Sequence, residues 1–159
     1  MDDNRKEIAD NAKGFAKTGF TIFQVDGKRP KKGLKWRQAP YILPSDVEDF
    51  FSDWQGNYGI APNKNQLVID VDPRNFDKGD SPIKRLFNEL ELDATNFTKV
   101  IETGGGGLHL FLHLPDLPEG KKIRKNLPGY KGIDFISEGA YVVGAGSIHP
   151  ETAVLYTTR

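Results

Sequence analysis

The sequence contains no cysteine among its 159 residues. That excludes disulfides, thiolate zinc sites and a cysteine nucleophile. It has no apolar run approaching the ~20 residues that span a bilayer, and no charged-then-apolar leader precedes a small-residue cleavage site. The expected setting is the cytoplasm, without membrane contact. An excess of one charge is missing too: 22 Lys and Arg balance 22 Asp and Glu. Overall charge therefore says nothing about nucleic acid, and only its local distribution can. Internal repeats, low-complexity tracts and linkers are absent. A chain of this length is expected to fold as one domain, residues 1–159, around a core that needs no staple.

What is present is organised around Leu67-Val68-Ile69-Asp70-Val71-Asp72. This apolar, β-branched run predicts a strand buried on at least one face. Side chains alternate across a strand, so Leu67, Ile69 and Val71 point one way and Val68, Asp70 and Asp72 the other. Two carboxylates then emerge side by side and repel each other unless a cation neutralises them. All-oxygen ligands suit Mg²⁺ or Mn²⁺. A calcium-binding EF-hand is excluded, because Arg74 and Asn75 stand where an acidic or amide residue and a glycine would be needed.

Ahead of this run, residues 3–18 carry Ile8, Ala12 and Phe15 at helical spacing, and a strand over 20–25 follows. In Gly27–Arg37, six of eleven residues are Lys or Arg, interleaved with Gly, Pro and Trp36. An exposed, stiffened loop of that kind suits phosphate contacts and base stacking, although charge runs are commonly only solvated. Ser45 to Glu48 reads as a capping box opening a helix to about Trp54, with Val47, Phe50, Phe51 and Trp54 buried. Asn57–Pro62 reads as a short strand.

Beyond it, Ser81-Pro82 predicts a helix start with Ile83, Leu86, Phe87 and Leu90 as its apolar stripe. Strands are predicted over 98–102, 108–114, 132–136, 140–144 and 153–157. In Leu108–Leu114 the leucines face the core and His109, Phe111 and His113 face away. Four glycines, Gly104–Gly107, precede this strand. They lack the Gly-Lys-Ser/Thr ending of a P-loop and so predict close approach of a backbone or phosphate instead. The loop 115–128 holds Lys121, Lys122, Arg124 and Lys125. Strands outnumber helices, which predicts an α+β domain with a mostly antiparallel sheet backed by helices.

Asp70 with Asp72, His109 and Asp134 are thus polar groups set into strands. A charge in a strand pattern is costly unless paired or metal-bound. If those strands are neighbours, the carboxylates could hold two divalent ions, with an imidazole nearby for a phosphate. Singly, each group has a bland reading: an edge charge pair, a structural histidine, an unremarkable acid. Together they ask for one cause.

The sequence resembles the bifunctional DNA primase/polymerase (Prim-Pol) domain of the archaeo-eukaryotic primase superfamily. The resemblance rests on Val68-Ile69-Asp70-Val71-Asp72, Gly107-Leu108-His109 and Gly132-Ile133-Asp134, in that order. It extends to Gly27-Lys28-Arg29-Pro30 with Trp36, Tyr58-Gly59-Ile60-Ala61, the glycine run, and Tyr141-Val142-Val143 leading to Ser147-Ile148-His149-Pro150. It implies an RRM-like palm sheet joined to an N-terminal helix-containing unit. It also implies Asp70, Asp72 and Asp134 as ligands of two Mg²⁺ or Mn²⁺ ions, with His109 on the phosphates of an incoming dNTP or NTP. Lys28, Lys32, Trp36, Gly106, Gly107, Arg124, Ser147 and His149 would line the nucleotide or single-stranded DNA site.

Two departures stand out: Gly107 in place of a common Ser, and Ala145-Gly146 in place of Pro-Pro. Longer relatives continue into a helical bundle and a helicase region, so such a region is expected as a partner, with initiation weaker than extension. The activity expected is template-dependent nucleotidyl transfer. The alternatives are a non-catalytic nucleic-acid-binding module and a metal-dependent nuclease. For the nuclease, Tyr130 and Tyr141 are available as nucleophiles, whereas His109 and His113 lie ~13 Å apart on a strand.

Overall fold

A computed structural model describes residues 3–159. Helix α1, Asp3–Lys17, buries Ile8, Ala9, Ala12, Phe15 and Ala16 along one stripe, and the chain turns at Gly19, whose φ is +89°. Strands β1 (Thr21–Asp26), β2 (Arg29–Pro30) and β3 (Asn57–Ala61) follow, with helix α2 (Val47–Phe51) between the last two. Next come β4 (Gln66–Val71), helix α3 (Pro82–Leu90), β5 (Lys99–Glu102) and β6 (Leu108–His113). The last strands are β7 (Ile133–Ile136), β8 (Val142–Val143) and β9 (Thr157–Thr158).

Among the described residues the strands form two sheets, ordered β2-β1-β3-β8 and β7-β4-β6-β5-β9, and every pairing is antiparallel. The fold class is α+β, as expected. The second sheet is the RRM-like palm. Strand β4 crosses through α3 to β5, yet β6 lies between them, which is a split βαβ. Where such units carry a second helix, this chain runs through the Pro- and Lys-rich loop between β6 and β7.

Period-two alternation gives the palm sheet two buried faces. Leu67, Ile69 and Val71 pack with Leu110, Ile133 and Leu86, and are covered by Ile83 and Phe87 of α3. Val68, Ile101, Phe111 and Ile136 face the other way and merge with α1 and the first sheet through Ile8, Phe15, Ile22, Tyr58 and Ile60. The palm thus lies between α3 and the N-terminal unit, and its inner face opens into a cleft at the Asp70 end of β4.

Several expectations about local structure are corrected. Gly27–Arg37 is not all loop, because Arg29 and Pro30 pair back onto Asp26 and Val25. Helix α2 begins after a 3-10 turn at Pro44–Asp46 without any side-chain cap, and it ends at Phe51, before Trp54. Trp54 is half-buried and donates its indole N–H to the Asn57 carbonyl at 2.6 Å. Leu90, assigned to a buried stripe, is 56% exposed, because α3 terminates there in a left-handed Glu91. Strand β8 joins the first sheet rather than the palm. Among the described residues no helix is long and apolar enough to cross a membrane.

Candidate active site

Strand register builds the site. Asp70 lies directly opposite His109 on β6 and opposite Asp134 on β7. Direct antiparallel partners project to the same side, so Asp134, Asp70 and His109 form one row across adjacent strands. The row sits on the inner face, one alternation step beyond the buried pair Val68 and Phe111; Asp70 and His109 line a cleft of about 270 Å³ there, and Asp134 stands beside it, outside the lining. His109 is buried, with Nε2 3.5 Å from an Asp70 carboxylate oxygen. Among the described residues its buried Nδ1 has no hydrogen-bond partner. Its ring packs against Tyr156 at 6.0 Å and Phe111 at 6.5 Å.

The flanking carboxylates differ. Burial pushes the Asp134 carboxyl above its usual range; Lys125 opposes this, and the negative charges of Asp70 and Asp72 add to it. Asp72 is held low, first by its hydrogen bonds with the Arg74 guanidinium. Arg74 Nε and Nη2 donate to the two oxygens of Asp72 at 3.0 and 3.2 Å, and the Asn75 amide donates at 3.2 Å. The local reason is Pro73, which stops β4 and starts a 3-10 turn capped by the Asp72 side chain.

The donor chemistry fits a hard divalent cation, since the acids are all-oxygen donors. The cage is not preformed. Among the described residues no group of three or more His, Asp or Glu is drawn together as a metal site.

The glycine run is explained by close approach. A Cβ on Gly107 would stand 2.0 Å from the Val71 carbonyl oxygen, so a serine there is sterically excluded in this backbone. A Cβ on Gly105 would stand 3.1 Å from the Arg74 guanidinium and 3.3 Å from His149 Nε2. His149 is buried, and its Nδ1 accepts from the backbone N–H groups of Glu151 and Thr152. Its proton is therefore on Nε2, which faces the cleft. Burial, followed by the positive charge of Lys28, keeps its pKa below the usual histidine range.

A family profile described as the bifunctional DNA primase/polymerase N-terminal domain, Prim-Pol, matches residues 12–159. The chain belongs to the Prim-Pol family. No curated protein matches it.

Of the remaining candidates, the Prim-Pol cleft takes in Lys28 and His149 with Asp70, Asp72 and His109. Lys28 is anchored through its carbonyl, which accepts from the Tyr141 hydroxyl at 2.6 Å. The rest lie outside its lining. Lys32 is exposed and does not line the cleft. Trp36 is not a free stacking platform: it stacks on Phe23 at 5.3 Å, meets Tyr141 edge-on and carries the Arg37 guanidinium over its ring. Ser147 is fully buried, and its hydroxyl accepts from the Tyr58 N–H at 3.3 Å, tying β3 to the turn before His149. Gly106, with φ +86°, is the open tip of the turn, where a Cβ would meet nothing within 4 Å. In the 115–128 loop it is Lys125, rather than Arg124, that acts on Asp134.

Sequence reasoning missed Arg74 and Tyr156 as site residues. Arg74 could have been found as a cation following the acidic pair. Tyr156, buried between the two histidine rings with its hydroxyl pushed up to about 12, carries no local signal. A larger groove of about 540 Å³, lined by Lys64, Lys121 and Lys122, lies at the other end of β4 and contains none of the row.

Proposed function

We propose that this Prim-Pol chain is a template-directed nucleotidyltransferase that joins dNTPs or NTPs on single-stranded DNA, with two Mg²⁺ or Mn²⁺ ions as cofactors. The observation that carries the reading is the row Asp134–Asp70–His109, set by register across three adjacent palm strands of a Prim-Pol fold. Asp70, Asp72 and Asp134 would hold the ions. Such ions lower the pKa of the attacking hydroxyl and neutralise charge on the transferred phosphoryl group. The 3′-oxygen of the primer attacks the α-phosphorus, pyrophosphate leaves, and the hydroxyl proton passes to solvent. Within that scheme His109, fixed between Tyr156 and Phe111, donates from Nε2 to a phosphate oxygen. Lys28 supplies a cation across the cleft, and His149 a neutral N–H donor. The basic stretch Lys28–Arg37 follows the template backbone, so binding falls steeply with salt.

The test is incorporation of labelled dNTP or NTP on single-stranded DNA, with and without primer, in Mg²⁺ and in Mn²⁺. Product from the wild type and none from Asp134→Ala is expected; equal product from both would remove the reading. A non-catalytic nucleic-acid-binding module is the second reading, and the ion pair that already neutralises Asp72 favours it. No product in any lane, with DNA binding intact, would select it. For the nuclease reading, the Tyr130 hydroxyl donates to Glu89 and that of Tyr141 to the Lys28 carbonyl.

A further inference from the structure

The cation that answers Asp72 in this structure is part of the chain. Arg74 grips both oxygens of Asp72 in a two-point fork and reaches Glu151 with its remaining nitrogen at 3.8 Å. The pair is partly open to water, with Arg74 48% exposed, so it can be broken at modest cost. Pro73 roots the arginine on a rigid 3-10 turn, and Gly105 keeps clear the narrow space beside the guanidinium, where a Cβ would stand only 3.1 Å away. That same space is bordered by His149 Nε2, whose proton is fixed there by the two N–H groups on Nδ1. Lys28 completes the rim. A guanidinium fork, an imidazole N–H and an ammonium around one glycine form a corner suited to phosphate oxygens.

We propose that Arg74 is an exchangeable counter-ion. It holds Asp72 when no divalent ion is present, is displaced from Asp72 when one binds, and then turns its fork to the triphosphate at the Gly105–His149 corner. This rests on the polymerase reading of the carboxylates. Its consequence is coupling: each divalent ion that takes Asp72 releases a phosphate ligand, so cation and nucleotide favour each other's binding. Reciprocal linkage follows, since the same free energy appears whichever binds first.

The test separates the two roles of Arg74, because they predict opposite signs. Mn²⁺ alone is titrated into the 159-residue protein and free Mn²⁺ is read by electron paramagnetic resonance. Arg74→Gln should bind Mn²⁺ roughly two- to tenfold more tightly than wild type, since a competing cation is gone. In a separate titration with saturating Mg²⁺, a fluorescent dATP analogue should bind the same variant roughly tenfold more weakly. Arg74→Lys keeps the charge without the fork and should fall between, and it serves if Arg74→Gln fails to fold by circular dichroism. An arginine that merely braced the turn would weaken both ligands together. Weaker or unchanged Mn²⁺ binding in both variants, with Asp70→Asn abolishing it, would overturn the exchange while leaving the polymerase reading standing. Mn²⁺ binding that survives both Asp70→Asn and Asp134→Asn would overturn the reading and the exchange together.

Discussion

Polar groups carried on the palm strands and polar groups carried on the turns around them are held in different ways. Asp134, Asp70 and His109 are positioned by the backbone ladder. The strand hydrogen bonds do the holding, so the side chains keep their capacity, to the point that the buried His109 Nδ1 has no partner among the described residues. On the turns there is no ladder. Asp72 is gripped by Arg74 and Asn75, the Ser147 hydroxyl by Tyr58, and His149 Nδ1 by two backbone N–H groups. A turn must satisfy its polar groups with side chains, and those side chains are then committed to the fold. Register places chemistry without using it up.

The sharpest way to break this contrast is to remove a strand-borne acid. Asp134→Ala should reduce nucleotide incorporation on the order of a thousandfold or more, since cation clamps supply several kcal/mol of transition-state stabilisation. Its urea midpoint should hardly change, because no ladder bond is lost; a collapse of stability instead would make Asp134 structural. Gly107→Ser tests a place where a turn abuts β4. Its Cβ would meet the Val71 carbonyl oxygen, at a cost of about 3 kcal/mol, read as a lowered urea midpoint.

Trp36→Ala should cost about 2 kcal/mol through lost packing on Phe23 and Tyr141. DNA affinity per folded molecule should stay within about twofold of wild type, because both faces of the ring are already occupied; a stacking role would require a larger loss.

The smallest effect is acid dependence, and here the two carboxylates have opposite signs. Asp72, held low by Arg74, contributes stability that is present above its unfolded pKa and lost as pH falls through the lowered folded value. Asp134, raised by burial, keeps its proton longer in the folded state, so it costs stability as pH rises through the window above the ordinary carboxylate value. At neutral pH Asp72→Asn should destabilise, and Asp134→Asn should be neutral or mildly stabilising, each by less than about 1 kcal/mol. Thermal unfolding between pH 3 and 7 checks both signs, and equal signs would erase the distinction.

Much of this was legible in the residues. Alternation in Leu67–Asp72 and Leu108–Leu114 put Asp70 and His109 on the faces where they are found, and the strand-rich second half implied the antiparallel palm. The basic stretch and the caps were less legible. Charge density suggested an open loop at 27–37, whereas Arg29 and Pro30 fold back in a tight hairpin onto Asp26 and Val25, and Trp36 packs against Tyr141, far along the chain. Ser45 has the cap pattern, but Pro44 opens a 3-10 turn first.

By itself the sequence determined which residues are polar on which strand faces, because side-chain alternation is local and has a period of two. It also determined that the glycine run would be a point of close approach. Only the tertiary structure decided that Asp134, Asp70 and His109 share one row, that Tyr156 stands between two histidines, and that Arg74 answers Asp72. Those outcomes depend on register, on which strands meet and on a turn's rotation. Each is a long-range consequence of burying two faces of one sheet.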